Sequence, residues 1–449
     1  MKVLWLTNFI LPSIAAKLEL PASVKEGWVV GMSEALKARK SENDIELAIA
    51  SPVPANIEEG AVGIFEGVRF YGFHELQPCH IYDPGKEKVF FQIAEDFKPD
   101  VIHIFGTEYP HTRAMVEGIY KYGNRANGLS SYRILIGLQG VMYEITEHYL
   151  DGVPAEVAKK KTFRDIVKRD SMADQVMKCK LRTVNELAAL SYVGHVTGRT
   201  PFDEAYAKKN AFLAKYHFMN ETLRPGFYEG IYDPAKANPH EIFVSQGDYP
   251  LKGMHFLIKA LPKILSKYPD TRVYVAGDSI TREGSFKEKL KLPQYGKYLL
   301  ELEKEVEKET GKPCPVEFLG RLPFEEMKAR YLRAGLYICC STVENSPNSL
   351  GEAMLLGVPA IAARVGGIPG IMENGVEGIL YEPNDPDSLA EAVDKIWSDE
   401  DLRGKLTQNA RKRALRDHDP ETNYKRLLEI YDEIAADDRY PDKDDKKEE

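Results

Sequence analysis

The stretch CCSTVENSPNSLGEAMLLGVPAIAARVGG, Cys339 to Gly367, decides how this chain folds. The apolar run LYICCS ends in a loop of Asn, Ser and Pro; SLGEAMLL then has the composition of a helix, and VPAIAA is again short and apolar. Short buried strands alternating with helices are the pattern of a parallel sheet covered on its faces. The loop carries Glu344, and Glu352 lies in the first turns of the helix, a Glu-x7-Glu spacing. In an open parallel sheet, ligands bind beyond the carboxyl ends of the strands, so both acids are expected to face one site. The free N–H groups of a helix start suit an anion, whereas carboxylates accept hydrogen bonds from hydroxyls.

The alternation continues in both directions. KVLWLTNF, IELAIASPV, PDVIHIFG and YRILIGLQG are expected strands of a first half, with EGWVVGMSEALKARK a helix between the first two. EIFVSQG, TRVYVAG, PVEFLG, LYICCS, VPAIAA and GILYEP are those of a second half. Met254, Leu257, Ile258, Leu261 and Leu265 give one face of a helix in that half. Between the halves lies LRPGFYEGIYDPAKANPHE, Leu223 to Glu241, rich in Pro and Gly. A chain of 449 residues with 43% hydrophobic content is too long for one ordinary core. The expected domains are therefore 1–230 and 231–415, followed by a helix at 416–436 and a disordered charged tail at 437–449. Phe286 to Lys312 reads as a charged helix interrupting the second domain, and no solenoid repeat is visible.

A net charge of -9 argues against general nucleic-acid affinity. Five scattered cysteines without a C-x-x-C speak for a reducing compartment and against structural zinc. MKVLWLTNFILPS is too short to span a bilayer and is expected to be the first strand of a cytoplasmic protein. Against the acidic background, Glu156 to Arg182 concentrates Lys159, Lys160, Lys161, Arg164, Lys168, Arg169, Lys178, Lys180 and Arg182. With Phe163, Ile166, Val167, Ala173 and Met177 on one side, this is either a basic amphipathic helix for an anionic leaflet or a solvated helix packed on the N-terminal domain. Asp165, Asp170 and Asp174 interrupt the basic face and give the second option at least equal standing. Lys252, in SQGDYPLKG, stands at a helix start, where an ammonium neutralises a diphosphate without a metal. The D-x-D strings at Asp385/Asp387 and Asp442/Asp444 read as a capping run and as tail, not as a metal site. No G-x-G-x-x-G follows a strand, which disfavours a nicotinamide enzyme.

Taken in order, SQGDYPLKG, VYVAGD, FLGRLP and ENSPNSLGEAMLLGVPAIAARVGGIPGIMENGVEGILYEPND resemble the donor domain of family 4 retaining glycosyltransferases, the glycosyl transferases group 1 of the GT-B fold. MKVLWLTNFILP, EGW and KPDVIHIFGTEYPH resemble that family's N-terminal half. The resemblance implies an α/β fold of two Rossmann-like parallel-sheet domains facing a central cleft. The first would bind the acceptor, the second the nucleotide-sugar donor, and the 416–436 helix would return to the first. It implies a retaining, metal-independent, hexosyltransferase-type enzyme without a cofactor. Such an enzyme would transfer from a UDP- or GDP-linked sugar to a glycan or lipid-linked acceptor in cell-surface polysaccharide or glycolipid synthesis, in the cytoplasm or at the inner face of the membrane.

By the same resemblance Glu352 would grip the ribose, Glu344 the transferred sugar and Lys252 the diphosphate. Gly27, in the loop after the first strand, would let backbone approach the phosphates, and Gly320, Arg321 and Leu322 would meet the base. Asn348, Ser349 and Leu350 form the helix start at the donor. His111 suits an acceptor contact or an ordinary helix start, and His103 suits the core. His195 and Arg199 would line the cleft or close a turn, while Asn220, Glu221 and Arg224 precede the hinge within reach of either ligand. Three departures stand out: Gln246 replaces a usual arginine, Ser346 and Pro347 replace Phe-Gly, and Gln139 replaces a histidine. The rivals are an epimerase or hydrolase on the same fold and a binding or scaffold protein that has lost turnover. Gln246 and Pro347 favour the scaffold; intact Glu344, Glu352 and Lys252 oppose it.

Overall fold

The computed structural model describes residues 1–21, 27–75, 80–281 and 285–441. The chain forms two compact units, one built from Met1–Tyr143, Cys179–Thr222 and the chain from Asp419 onward, the other from Glu144–Lys178 and Leu223–His418.

The first unit holds β1 (Lys2–Leu6), β2 (Glu46–Pro52), β3 (Gly60–Phe65), β4 (Val68–Phe73), β5 (Val101–Phe105), β6 (Ile134–Gly137), β7 (His195–Gly198) and β8 (Lys215–Phe218). They form one sheet in the order β3-β4-β2-β1-β5-β6-β7-β8. All neighbours are parallel except β3, which runs antiparallel to β4 across the Glu66–Gly67 turn. Central strands read as unbroken apolar runs because both faces are covered. Leu4, Leu6, Ile104 and Ile136 pack on one side with Phe90 and Met115; Val3, Trp5 and Leu135 pack on the other with Val29, Leu427 and Tyr431. The helix Pro420–Ala435 covers this second side. Its Tyr431 hydroxyl accepts from Trp5 Nε1 at 2.9 Å and lies 2.7 Å from His103 Nδ1. His103 is thus a core residue, held neutral by burial that pushes its pKa down to about 3.

The second unit holds β9 (Asn238–Val244), β10 (Arg272–Val275), β11 (Val316–Phe318), β12 (Ala334–Cys339), β13 (Ala360–Ala363) and β14 (Ile379–Tyr381). The order is β11-β10-β9-β12-β13-β14, parallel throughout. Met254, Leu257, Ile258, Leu261 and Leu265 of the helix Met254–Lys267 are all buried, as their spacing predicts.

Three expectations are corrected. Residues 144–178, expected in the first domain, belong to the second unit. Val157 and Met172 enter its core, His255 Nε2 bonds the Asp151 carbonyl at 2.9 Å, and Asp165 accepts from Gln294 N at 3.1 Å. The segment Phe286–Lys312 is two helices, Phe286–Leu290 and Gln294–Thr310, separated at Pro293. The second buries Tyr295, Tyr298, Leu299, Leu302 and Val306, so it is an amphipathic packing helix with a charged outer face. Of the expected tail, 437–441 is docked: Arg133 donates to the Asp437 carbonyl at 2.8 Å and Ser130 to the Arg439 carbonyl at 2.7 Å. Residues 442–449, Cys79, and with the tail Asp442 and Asp444, lie outside the described residues. Asp385 caps its helix through Ser388 N, as read.

Candidate functional site

In the second unit the chain moves from β9 outward to β10 and β11, then returns to β12 and moves the other way. Adjacent loops after β9 and β12 therefore diverge and leave a crevice at the carboxyl edge, the topological switch point of the sheet. The β9 loop runs from Ser245 through Gln246 to Lys252 and ends at Gly253, whose φ of +66° falls in the left-handed region. A Cβ there would strike the Cys340 carbonyl, so only glycine brings this loop against the end of β12. The consequence is direct: Lys252 Nζ donates to Glu344 Oε1 at 2.6 Å. Ser341 Oγ donates to the same oxygen at 2.7 Å. The pair is largely enclosed, with side-chain exposures of 18% and 15%. Burial alone would lower the Lys252 pKa, but the Glu344 carboxylate outweighs it and holds the ammonium well above its ordinary value. The Glu344 loop is fixed from the far side by Gly367 N, which donates to the Glu344 carbonyl at 2.9 Å. A Cβ on Gly366, at φ +49°, would strike that same carbonyl.

Glu352 sits in the helix Asn348–Leu356 and is buried. Arg224 Nε and Nη2 both donate to its Oε1, at 2.9 and 2.7 Å. Burial pushes the Glu352 carboxyl up to about 7, with Arg224 pulling the other way. The Arg224 guanidinium lies over Phe227 and Phe324, 4.7 and 5.3 Å from their centroids. Ser349 is bolted in place, its carbonyl accepting from Tyr331 Oη at 3.0 Å and its hydroxyl 2.9 Å from Tyr337 Oη. Across the same edge, Gly277 N donates to the Gly320 carbonyl at 2.9 Å, and exposed Arg321 grips Asp278 through two bonds of 2.9 and 2.7 Å. Two ion pairs, Lys252 with Glu344 and Arg224 with Glu352, thus stand at this crevice edge beside helix-start backbone.

The stretch 233–413, which carries Gln246, Lys252, Glu344 and Glu352, matches the family model of the glycosyl transferases group 1. The D-inositol 3-phosphate glycosyltransferase of Corynebacterium urealyticum is 31% identical over 183 residues, 40% of this chain and 40% of that protein. The chain therefore spans about two fifths of that relative's length. Among solved structures, sucrose-phosphate synthase from Thermosynechococcus elongatus aligns over 97% of this chain and 99% of its own, with TM-score 0.66 and 15% identity. Anabaena HepE in complex with UDP aligns over 96% and 100%, with TM-score 0.60 and 18% identity. The fold is GT-B, two parallel-sheet α/β domains. No helix among the described residues is long and apolar enough to cross a membrane.

Within the matched stretch, Gln246, Lys252, Glu344, Asn348, Ser349 and Glu352 all follow β9 or β12. Leu350 is wholly buried in the core and its N–H is taken by the Pro347 carbonyl at 3.0 Å. Leu322 packs partly buried against the same core. Arg224 is the partner that spacing did not assign: it lies 128 positions from Glu352.

The first unit has its own switch point between β1 and β5. Gly27 is not in the loop that leaves β1: the helix Pro12–Lys17 intervenes, and Gly27 opens the helix Gly27–Ala38. His111 is a helix-start residue in Pro110–Tyr122, with Nδ1 2.9 Å from Glu75 Oε1 and its ring stacked on Tyr109. His195 is neither a turn nor an open cleft residue. It lies buried in β7 between His217 Nε2 at 2.8 Å and Asp437 Oδ2 at 3.1 Å. Arg199, Glu221 and Gln139 form one polar group, with Glu221 accepting from Arg199 Nη2 at 3.3 Å and from Gln139 Nε2 at 2.9 Å. Glu108 and Glu186 escaped the sequence reading. Glu108 follows β5 and accepts from Gly140 N at 2.8 Å, and burial, with Glu186 adding to it, pushes its carboxyl up to about 7. An acid directly behind a buried strand, as in HIFGTE, is the signal that could have found it.

Proposed function

We propose that the chain is a family 4 retaining glycosyltransferase that moves a sugar from a nucleotide diphosphate sugar to a glycan or lipid-linked acceptor. The Lys252–Glu344 pair at the β9/β12 switch point carries the reading. In this scheme a diphosphate oxygen competes with Glu344 for the Lys252 ammonium. Charge grows on that phosphate as the bond from sugar C1 to the phosphate oxygen breaks, and a fixed, desolvated ammonium stabilises the departing diphosphate more than the bound donor. The acceptor oxygen bonds C1 on the face the phosphate leaves, and the departing oxygen takes the acceptor proton, which keeps the configuration. Glu344, released from Lys252, accepts from sugar hydroxyls; Glu352 accepts from the ribose. Lys252 supplies the charge that a metal would bring, so the scheme uses neither metal nor cofactor.

HepE with UDP, a neighbour in fold, makes UDP the first donor base to try. The place of action in this reading is the cytoplasmic face of a membrane, in cell-surface polysaccharide or glycolipid synthesis. The test is nucleotide release from UDP-, GDP-, ADP- and CMP-sugars, with and without a lipid extract, by the parent chain, Lys252→Ala and Glu344→Gln. Release from one donor that rises with acceptor and falls in both variants is expected. Release indifferent to acceptor points to a hydrolase. Donor binding without release points to the scaffold reading, which Gln246, an uncharged side chain after β9, favours.

A further inference from the structure

The basic segment 156–182 is not one helix. It runs through the helices Ala155–Ala158, Phe163–Lys168 and Met172–Leu190, the last two separated at Arg169, which has a left-handed φ of 51°. The acids that interrupt its basic face in sequence are turned away or already paired. Asp165 is buried: it closes a capping box with Thr162, and its Oδ2 accepts from Gln294 N at 3.1 Å. Asp170 binds Arg164 at 2.8 Å, and Asp174 binds Ser171 at 2.6 Å and Lys161 at 3.2 Å.

Pinning Asp165 inward points the opposite side of the short helix outward. That side is Phe163, Ile166 and Val167, exposed by 63, 62 and 65%. A helix that merely packs on a domain buries such residues; this one buries its acid and shows its apolar side. On either side of the three in the chain lie exposed Lys159, Lys160, Lys168 and Arg169, with exposed Glu156 as the acid of the segment. Lys159, Lys160 and Lys168 have no ion-pair partner among the described residues.

We infer that this face docks on an anionic lipid bilayer, with Phe163, Ile166 and Val167 entering the headgroup boundary and the flanking lysines against lipid phosphates. An exposed apolar face in a segment whose exposed charges are mainly basic matches a surface that is negative above and apolar beneath, and basic residues near such a surface add attraction one by one. The inference deepens the proposed function by naming the surface where a lipid-linked acceptor would be met, and it rests on that reading only for the acceptor.

The test is co-sedimentation of the full chain with vesicles of phosphatidylcholine, alone or mixed with phosphatidylglycerol, at low and high salt. Binding is expected on the mixed vesicles, weakening with salt. Phe163→Ser/Ile166→Ser/Val167→Ser and, separately, Lys159→Glu/Lys160→Glu/Lys168→Glu are each expected to lower the bound-to-free ratio roughly tenfold or more. Lys405→Glu, an exposed lysine elsewhere, is expected to bind as the parent does. These positions are solvent-exposed, so thermal melts should match the parent, and nucleotide release from a soluble donor should persist in every variant. Failure of that release would count against the transferase and leave the docking result to be read by itself. No vesicle binding by the parent, equal binding to neutral and anionic vesicles, or binding unchanged in Phe163→Ser/Ile166→Ser/Val167→Ser overturns the inference. A concentration-dependent dimer abolished in Phe163→Ser/Ile166→Ser/Val167→Ser, without vesicle binding, also overturns it and assigns the face to a second copy.

Discussion

Lys252 and Glu344 pair with each other, so in the proposed reaction the ammonium is already fixed next to the place where charge would develop. Lys252→Ala should cut nucleotide release by about 10²–10³-fold, and the same release assay measures it. The two glycines that set this geometry cannot take a side chain. Gly253→Ala and Gly366→Ala should each lower unfolding free energy by more than about 2 kcal/mol in urea titrations, because both add a left-handed penalty to a clash with a backbone carbonyl. Glu352 gives a pH signature. Its carboxyl titrates near 7 when folded, against an ordinary 4.5, so between those values the folded chain keeps a proton that the unfolded chain has lost. Stability from this group is therefore fully present below 4.5 and is lost as pH rises through 7. Glu352→Gln should flatten that slope, and denaturant midpoints on either side of the window would reveal it. An unchanged slope would mean that Arg224 keeps the acid ionised.

Elements built from a plain local signal were legible. The ten strands read in the sequence are apolar runs with a turn signal behind them, and the helix Met254–Lys267 keeps its 3.6-residue period. The strands that were missed have less to show: β3 is an edge strand carrying Gly60 and Gly63, β4 carries Arg69 and Gly72, and β7 and β8 carry His195 and His217. Their pairing is set by neighbours already in the sheet, and glycines and polar side chains within so short a strand leave no periodic mark. The helix Pro420–Ala435 shows how an element is fixed by one group. The Tyr431 hydroxyl accepts from Trp5 and meets His103 Nδ1, so Tyr431→Phe leaves two buried nitrogens unpaired. A loss of about 2–4 kcal/mol in denaturant unfolding is expected, more than one exposed hydrogen bond is worth.

At the scale of the molecule, the chain leaves the first unit at Glu144, re-enters it at Cys179, leaves again at Leu223 and returns at Asp419. The last return is structural: Leu427, Ile430, Tyr431 and Ile434 are fully buried against β1 and its neighbours. A chain ended before Asp419 should expose that face, and light scattering should show aggregation where the full chain stays dispersed. The sequence by itself determined the alternating α/β architecture and set Lys252, Glu344 and Glu352 each in its own loop or helix start, because each of these depends on residues close enough to share a strand, loop or turn. Only the tertiary structure decided that Arg224 pairs with Glu352, that 144–178 packs with the second unit, and that Asp165 turns inward while Phe163, Ile166 and Val167 turn out. Those outcomes are contacts between distant positions, chosen by which buried group needs a partner, and nothing in local composition records that choice.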